Sequence, residues 1–286
     1  MEWPRRNNAD KSKQITTIGI DMGGTNLRVG LIRDGKVVKV LKERCKATGT
    51  EEEVLEQFYR MIGEIMIPEV ESIGVAVPSV VDYDNGIVYD VMNIPSWKEV
   101  HLKELLEKKF GVPTKVDNDV NCFVNAEFKY GAGKGYRHLV GITLGTGVGA
   151  GIITNGKVYR GSNTGAGEIG CLPYLDGMYE EYTSAQLFKK WDTTGEEEAT
   201  MADNGDYLAV EHWKELGHHL GKLLQVILYT YDPECIIIGG GIAQSAFRFK
   251  DSMIESLKEN FLYPHEIDRV KIVFSSLEDS NLLGCC

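Results

Sequence analysis

A sixteen-residue segment, Gly24-Thr-Asn-Leu-Arg-Val-Gly-Leu-Ile-Arg-Asp-Gly-Lys-Val-Val-Lys39, returns 121 residues later as Gly145-Thr-Gly-Val-Gly-Ala-Gly-Ile-Ile-Thr-Asn-Gly-Lys-Val-Tyr-Arg160, with seven positions identical. The runs before the two copies also match, Ile18-Gly-Ile-Asp21 against Val140-Gly-Ile-Thr143, with one extra residue in the first turn. Each copy predicts an apolar strand, a tight Gly-rich turn, a second alternating strand, and an Asp-Gly or Asn-Gly hairpin into a third. Solenoid repeats recur at roughly 20 to 50 residues, so a period this long means two related halves of a mixed α/β protein.

Two glycine-rich turns from two halves can face each other across a cleft and offer backbone N–H groups where no side chain blocks approach, which suits a polyphosphate. The candidates are Gly23, Gly24, Thr25 and Asn26 in the first turn and Gly145, Thr146 and Gly147 in the second. Positive φ in ordinary hairpins is the competing explanation for these glycines. The repeated Thr25 and Thr146, and Asp21 at the end of the first strand, favour phosphate, because hydroxyl, carboxylate and free amides together suit Mg²⁺-phosphate.

The chain has 286 residues, enough for two domains, and a net charge of −11 from 31 Lys plus Arg against 42 Asp plus Glu. That charge disfavours nucleic acid and anionic membranes and favours small-molecule partners. Six cysteines without C-x-x-C spacing, no signal peptide and no apolar run near 18 residues give the expectation of free thiols in a cytoplasmic protein. Residues 1–14 are polar and basic and read as a flexible arm. The first domain is expected over 15–117 and the second over 118–286.

Apolar spacing predicts a helix with Leu55, Phe58, Ile62 and Ile65 on one face, a strand at 73–77, a helix over about 101–110 and a strand at 114–116. In the second half it predicts a helix through Phe123 and Phe128 and a long one from about Asp206 to Tyr229, ended by Asp232-Pro233. The strand Cys235-Ile-Ile-Ile then opens into Gly239, Gly240 and Gly241, a strand-to-helix turn of the kind that seats nucleotides. The stretch 191–205, with its Glu run, reads as a solvated loop without chemistry.

Asp117, Asn118, Asp119 and Asn121 lie within five residues between a strand and a helix. One of them is expected to cap that helix. The others are available for chemistry, an Asp at a cleft mouth being a fair general base for an alcohol. Glu168 and Glu180 sit on polar, Gly-broken chain, where carboxylates can grip sugar hydroxyls or simply be solvated. Asn93 opens the rigid loop Asn93-Ile-Pro-Ser-Trp97. The six histidines show no metal-ligand spacing and are read as structural.

From Ile15 to Gly284 these motifs resemble the ROK sugar kinases (repressor, open reading frame, kinase), with Asp21-Met-Gly-Gly-Thr-Asn26, Leu144-Gly-Thr-Gly-Val-Gly149 and Asp232-Pro-Glu-Cys-Ile-Ile-Ile-Gly-Gly-Gly241 in the family's order. The resemblance implies the actin-like ATPase (ribonuclease H-like) duplicated α/β fold, two α/β domains with a cleft between them. It implies an ATP- and Mg²⁺-dependent hexose kinase acting on the 6-hydroxyl of glucose or a related sugar, with Asp119 as base. Asn93, Asn118, Glu168 and Glu180 take the sugar positions, and Asp21 serves the metal indirectly. A homodimer is also expected. Cys171 stands where the family usually has a His, and the Cys cluster that follows it in relatives is missing, so no zinc is expected. The same resemblance leaves an N-acetylmannosamine or N-acetylglucosamine kinase, and a sugar-responsive regulator, as alternatives.

Overall fold

The computed structural model describes residues 14–163 and 165–286, so all but the last residue of the expected arm lies outside the described residues. The first half runs β1 (Thr16–Met22), β2 (Asn26–Arg33), β3 (Lys36–Arg44), α1 (Glu51–Ile65) and β4 (Val70–Val77). A small sheet of β5 (Val80–Asp82), β6 (Ile87–Tyr89) and β7 (Glu99–Val100) follows, then α2 (Leu102–Phe110) and β8 (Thr114–Asn118). The second half begins with α3 (Asp119–Tyr130) and continues through β9 (Leu139–Leu144), β10 (Val148–Thr154), β11 (Lys157–Tyr159) and the two-residue strands β12 (Pro173–Tyr174) and β13 (Gly177–Met178). Next come α4 (Tyr179–Thr183), α5 (Ala185–Lys189), α6 (Gly195–Asp203), α7 (Tyr207–Tyr231), β14 (Cys235–Gly239), α8 (Ala246–Lys258), α9 (Pro264–Ile267), β15 (Lys271–Phe274) and α10 (Ser280–Gly284).

The duplication in the sequence becomes a duplication in the sheets. One has the order β3-β2-β1-β4-β8 and the other β11-β10-β9-β14-β15. In both, the first three strands are antiparallel and the last two join in parallel. The extra residue of the first turn is accommodated by pairing Met22 with Leu27, against Leu144 with Val148 in the second.

The seventh position of the repeat, Gly30 and Gly151, is glycine in both copies for one reason. A Cβ on Gly151 would stand 2.6 Å from Val124 Cγ1 and 2.7 Å from the Val120 carbonyl of α3, and one on Gly30 would stand 3.0 Å from Leu282 Cδ1 of α10. Each sheet therefore seats one helix against bare backbone, which only glycine permits. The two helices also meet each other, since Gly284 of α10 lies on the Cys122 carbonyl of α3. On the outer faces, α1 covers the first sheet with Val54, Phe58, Met61 and Ile62, and α7 covers the second with Trp213, Leu216, Leu220 and Leu224. A capping box between Thr50 and Glu53 starts α1, and α7 starts at the Asp206 cap and ends with Asp232 in the left-handed region, before Pro233.

The expected solvated loop at 191–205 contains a helix instead. Thr194 and Glu197 form a capping box at the head of α6, and Glu198 is buried against His212, Nδ1 to Oε2 2.9 Å. Trp191 stacks on the same imidazole at 3.8 Å. The Glu run thus contains one buried partner of a histidine, and reading every Glu as solvated hid it. Among the described residues no helix is long and apolar enough to cross a membrane.

Gly240 is the one glycine of the predicted nucleotide turn that its backbone demands, with φ +90° and a Cβ site 2.3 Å from the Leu144 carbonyl oxygen. Gly240→Ala is expected to cost about 1–3 kcal/mol or more in urea unfolding. Gly145→Ala, whose Cβ would meet nothing within 4 Å, is expected to stay within about 0.5 kcal/mol of the parent.

Candidate functional site

Both glycine turns close on their own backbone. Gly23 N–H donates to Asn26 O at 2.8 Å and Gly145 N–H to Gly147 O at 3.0 Å. None of Gly23, Gly24, Gly145 and Gly147 has positive φ, so hairpin strain does not account for them. What occupies the missing side-chain space differs among them. A Cβ on Gly24 would lie 2.7 Å from Asn93 Cβ, and one on Gly147 2.2 Å from Glu180 Oε2, whereas the space at Gly145 is open. Thr25 and Thr146 are both exposed. The second turn is braced from outside: Ala185 N–H donates to Gly145 O at 2.9 Å, and Ser184 Oγ to Thr146 O at 3.2 Å.

Asn118 ends β8 and caps α3, its Oδ1 accepting from the N–H groups of Val120 (2.9 Å) and Asn121 (3.3 Å). The capping role expected of this cluster therefore falls to Asn118. Its amide also donates to Ser79 O at 3.2 Å, which fixes the side chain from the turn between β4 and β5. Asp119 is the first residue of α3 and lines a cavity of about 330 Å³ with Gly239, Gly240, Gln244, Ser275 and Asn281. Its surface keeps some contact with solvent, yet protein surrounds it closely. Burial foremost, then the charge of Asp21, pushes its carboxyl up to about 7, against backbone N–H bonds that pull it down.

Asp21 ends β1 and reaches the same region. Asn281 Nδ2 donates to its Oδ1 at 3.0 Å and Arg28 Nη1 lies 3.6 Å from its Oδ2. Burial raises its carboxyl above the usual range, partly offset by Asn281 and Arg28. Arg28 in turn pairs with Asp279. Asn281 is not signalled in the sequence because α10 brings it to Asp21 from 260 positions away, and Asp279, Arg28, Gln244 and Ser275 likewise carry no local pattern that marks them as partners.

Glu168 precedes a 3-10 turn at Ile169–Cys171 and has its carboxyl raised by partial burial and by the neighbouring charge of Glu180. Glu180 is engaged with the second turn, accepting from Val148 N–H (3.2 Å) and from Gln186 Nε2 (2.7 Å). The structure therefore brings Asp119 together with Asp21, Gly239 and Gly240, sets Asn93 against the first turn, and ties Glu180 to the second. Gly241 is exposed, with open space around it.

Cys171 is exposed, and the segment after it is held by rings. Tyr174 stacks on Tyr179 at 4.1 Å and bonds His219 Nδ1 at 3.0 Å, so the β12–β13 hairpin is pinned to α7. Among the described residues no group of three or more His, Cys, Asp or Glu is placed to hold a metal ion. A larger cavity, about 540 Å³, lies under the 161–169 loop against the end of α7 and shares Glu168 with the predicted site. Its other walls carry none of the predicted groups.

The sequence pattern of the ROK family matches residues 17–285. The glucokinase of Thermotoga maritima is 28% identical over 305 aligned positions, spanning 95% of this chain and 96% of that protein. A beta-glucoside kinase of Listeria monocytogenes is 28% identical over 268, spanning 82% and 90%. Among solved structures, a ROK family glucokinase from Streptomyces griseus in complex with glucose and AMPPNP superposes with a TM-score of 0.81 at 25% identity, over 94% of this chain and 97% of that one. The fold is the actin-like ATPase fold of these neighbours. Both sheets and both turns fall inside the match, and the chain belongs to the ROK family.

Proposed function

We propose that this protein is an ATP-dependent hexose kinase that phosphorylates the 6-hydroxyl of glucose or a close relative. The observation that carries the reading is Asp119: a crowded carboxyl, pushed up to about 7, in a cavity it shares with the glycine turn after β14. A base poised near the working pH is what abstraction of an alcohol proton asks for. The glucokinase relatives and the glucose and AMPPNP held by the Streptomyces griseus enzyme support the same reading.

In this reading the amides of the two turns and of the Gly239–Gly241 turn hold the phosphates, with Thr25 and Thr146 hydroxyls beside them. Asn93, Asn118, Glu168 and Glu180 hold sugar hydroxyls, and Asp119 takes the proton of the attacking hydroxyl as the γ-phosphoryl group moves in line. The charges of Asp21 and Glu168 both raise the proton affinity of Asp119, and a dication bound with the nucleotide would relieve that repulsion. Asp21 would hold Mg²⁺ through water, and the ion would neutralise charge on the β- and γ-phosphates. Cys171, exposed beside Glu168 and Glu180, favours a second reading in which the acceptor is an N-acetylhexosamine. Coupled ADP release over a panel of hexoses and N-acetylhexosamines tests both, and absence of sugar-dependent ADP release would overturn the kinase reading.

Asp119→Asn keeps shape and removes the base, so kcat is expected to fall by about 10² to 10⁴ with sugar and ATP still binding by calorimetry. In the parent, kcat/KM is expected to drop below an acid limb near 7. The linked stability effect has a definite sign. The folded carboxyl keeps its proton to about 7 while the unfolded one releases it near pH 4, so the parent loses stability as pH rises through that window. Asp119→Asn should therefore melt higher than the parent above pH 7, with the gap closing towards pH 4.

Glu168→Gln loses a charged acceptor worth about 1.5–3 kcal/mol, which should raise the sugar KM by about ten- to a hundredfold and leave the ATP KM in place. Gly145→Ala tests the donor side. Because the protein itself leaves room for that Cβ, a rise in ATP KM with unchanged melting would report the phosphate that the new methyl meets, and an unchanged KM would remove this turn from the nucleotide site.

A further inference from the structure

Arg160, the last residue of the second repeat copy, reaches across to β8, the strand that ends at Asn118 directly before Asp119. Its Nε and Nη2 donate to Asp117 Oδ2 at 3.0 and 2.6 Å. The other oxygen, Asp117 Oδ1, accepts from Asn118 N–H at 2.9 Å and from Asn121 Nδ2 at 3.0 Å. Asp117 is only 8% exposed, so its charge is compensated by Arg160 and its lone pairs are used to fix the backbone one residue before the base. Two donors of one rigid guanidinium converge on the same oxygen, and with both oxygens occupied the carboxylate is held from two sides. The face of the guanidinium is also occupied: Tyr83, on the hairpin between β5 and β6, stacks at 3.7 Å from ring centroid to Arg160 Cζ. Behind Arg160 the chain continues as Gly161 into the loop that delivers Glu168.

One side chain thus joins two parts of the acceptor side: the β8–α3 junction through Asp117 and the first-half hairpin through Tyr83. Among the described residues the hydrogen bonds of Arg160 go to Asp117 and to Val158 O, and its guanidinium lies over Tyr83. We propose that Arg160 is a positioning residue for the sugar acceptor, holding Asn118 and Asp119 in register through Asp117, with Tyr83 as the plate that keeps the guanidinium in place. The inference rests on the kinase reading above, and it separates acceptor geometry from nucleotide binding.

The test compares Arg160→Gln, Arg160→Lys and Tyr83→Ala with the parent, measuring KM for glucose, KM for ATP, kcat and melting temperature in the full chain. The parent's sugar-dependent ADP release is established first over the hexose panel, so that failure of the kinase reading is seen before the variants are compared. Displacement of reacting groups by an ångström can cost about a hundredfold, and loss of one anchor of a held segment should raise the KM of the accepted sugar about tenfold in Arg160→Gln. The ATP KM should stay within about twofold. Arg160→Lys keeps the charge without the fork and should recover part of the loss, whereas Tyr83→Ala leaves both charges paired and should raise the sugar KM alone by about threefold. Sugar KM at parental values in Arg160→Gln and Tyr83→Ala would overturn the proposal. So would sugar KM, ATP KM and kcat all deteriorating together with the melting temperature, because that marks a purely structural ion pair. If Arg160→Gln fails to fold, Tyr83→Ala decides by the same criteria.

Discussion

The architecture depends on two helices lying back to back on bare backbone. α3 sits on Gly151 of the second sheet, α10 sits on Gly30 of the first, and Gly284 lets the two approach one another. Side chains on these strand faces would push the layers apart, and close packing leaves no slack to absorb such a push. The arrangement also crosses the order of the chain: the helix on the first sheet is made of residues 280–284. Asp119 heads one of these two helices and Asn281 belongs to the other. The seam between them therefore ends at the cavity that Asp119 and Asn281 both line.

Charge in that cavity is arranged by crowding more than by pairing. Asp21 has Arg28 and Asn281, and Asp117 has Arg160, but Asp119 has backbone N–H groups and the unfavourable company of Asp21 and Glu168. Neighbouring carboxylates in one sequence cluster consequently do different work. Asp117 is anchored by a cation and shapes the backbone, while Asp119 remains available to exchange a proton near neutrality. The separation follows from which of them faces an arginine.

Much of this was legible in the sequence. The sixteen-residue repeat announced the three antiparallel strands of each half, and the stripe through Phe58 and the helical spacing from Asp206 to Tyr229 announced the helices that cover the sheets. The identical Gly30 and Gly151 were visible as a pattern, but their reason, a helix on each, needs three dimensions. Positive φ was a fair alternative for the turn glycines and proved not to apply, because Asn93 and Glu180 fill the space beside Gly24 and Gly147. Partners far apart in sequence were hidden. Nothing near Asp279 or Asn281 points to Arg28 and Asp21, and a run of glutamates reads as solvated until His212 is found against Glu198. Polar residues advertise that they are polar and not what they will meet.

Asn93 and Glu180 also set how this pocket can be re-engineered. Each stands as a plug in the backbone of a glycine turn, one per half, so a larger or smaller residue there alters the loop that borders it along with any contact made on the open side. Cys171 is free of that obligation, being exposed on a short helical turn beside Glu168 with its segment held independently by Tyr174 and His219. In the proposed kinase reading, a change of acceptor preference sought at Cys171 would leave both turns as they are, whereas the same change sought at Asn93 or Glu180 would need a matching repair in the turn it plugs.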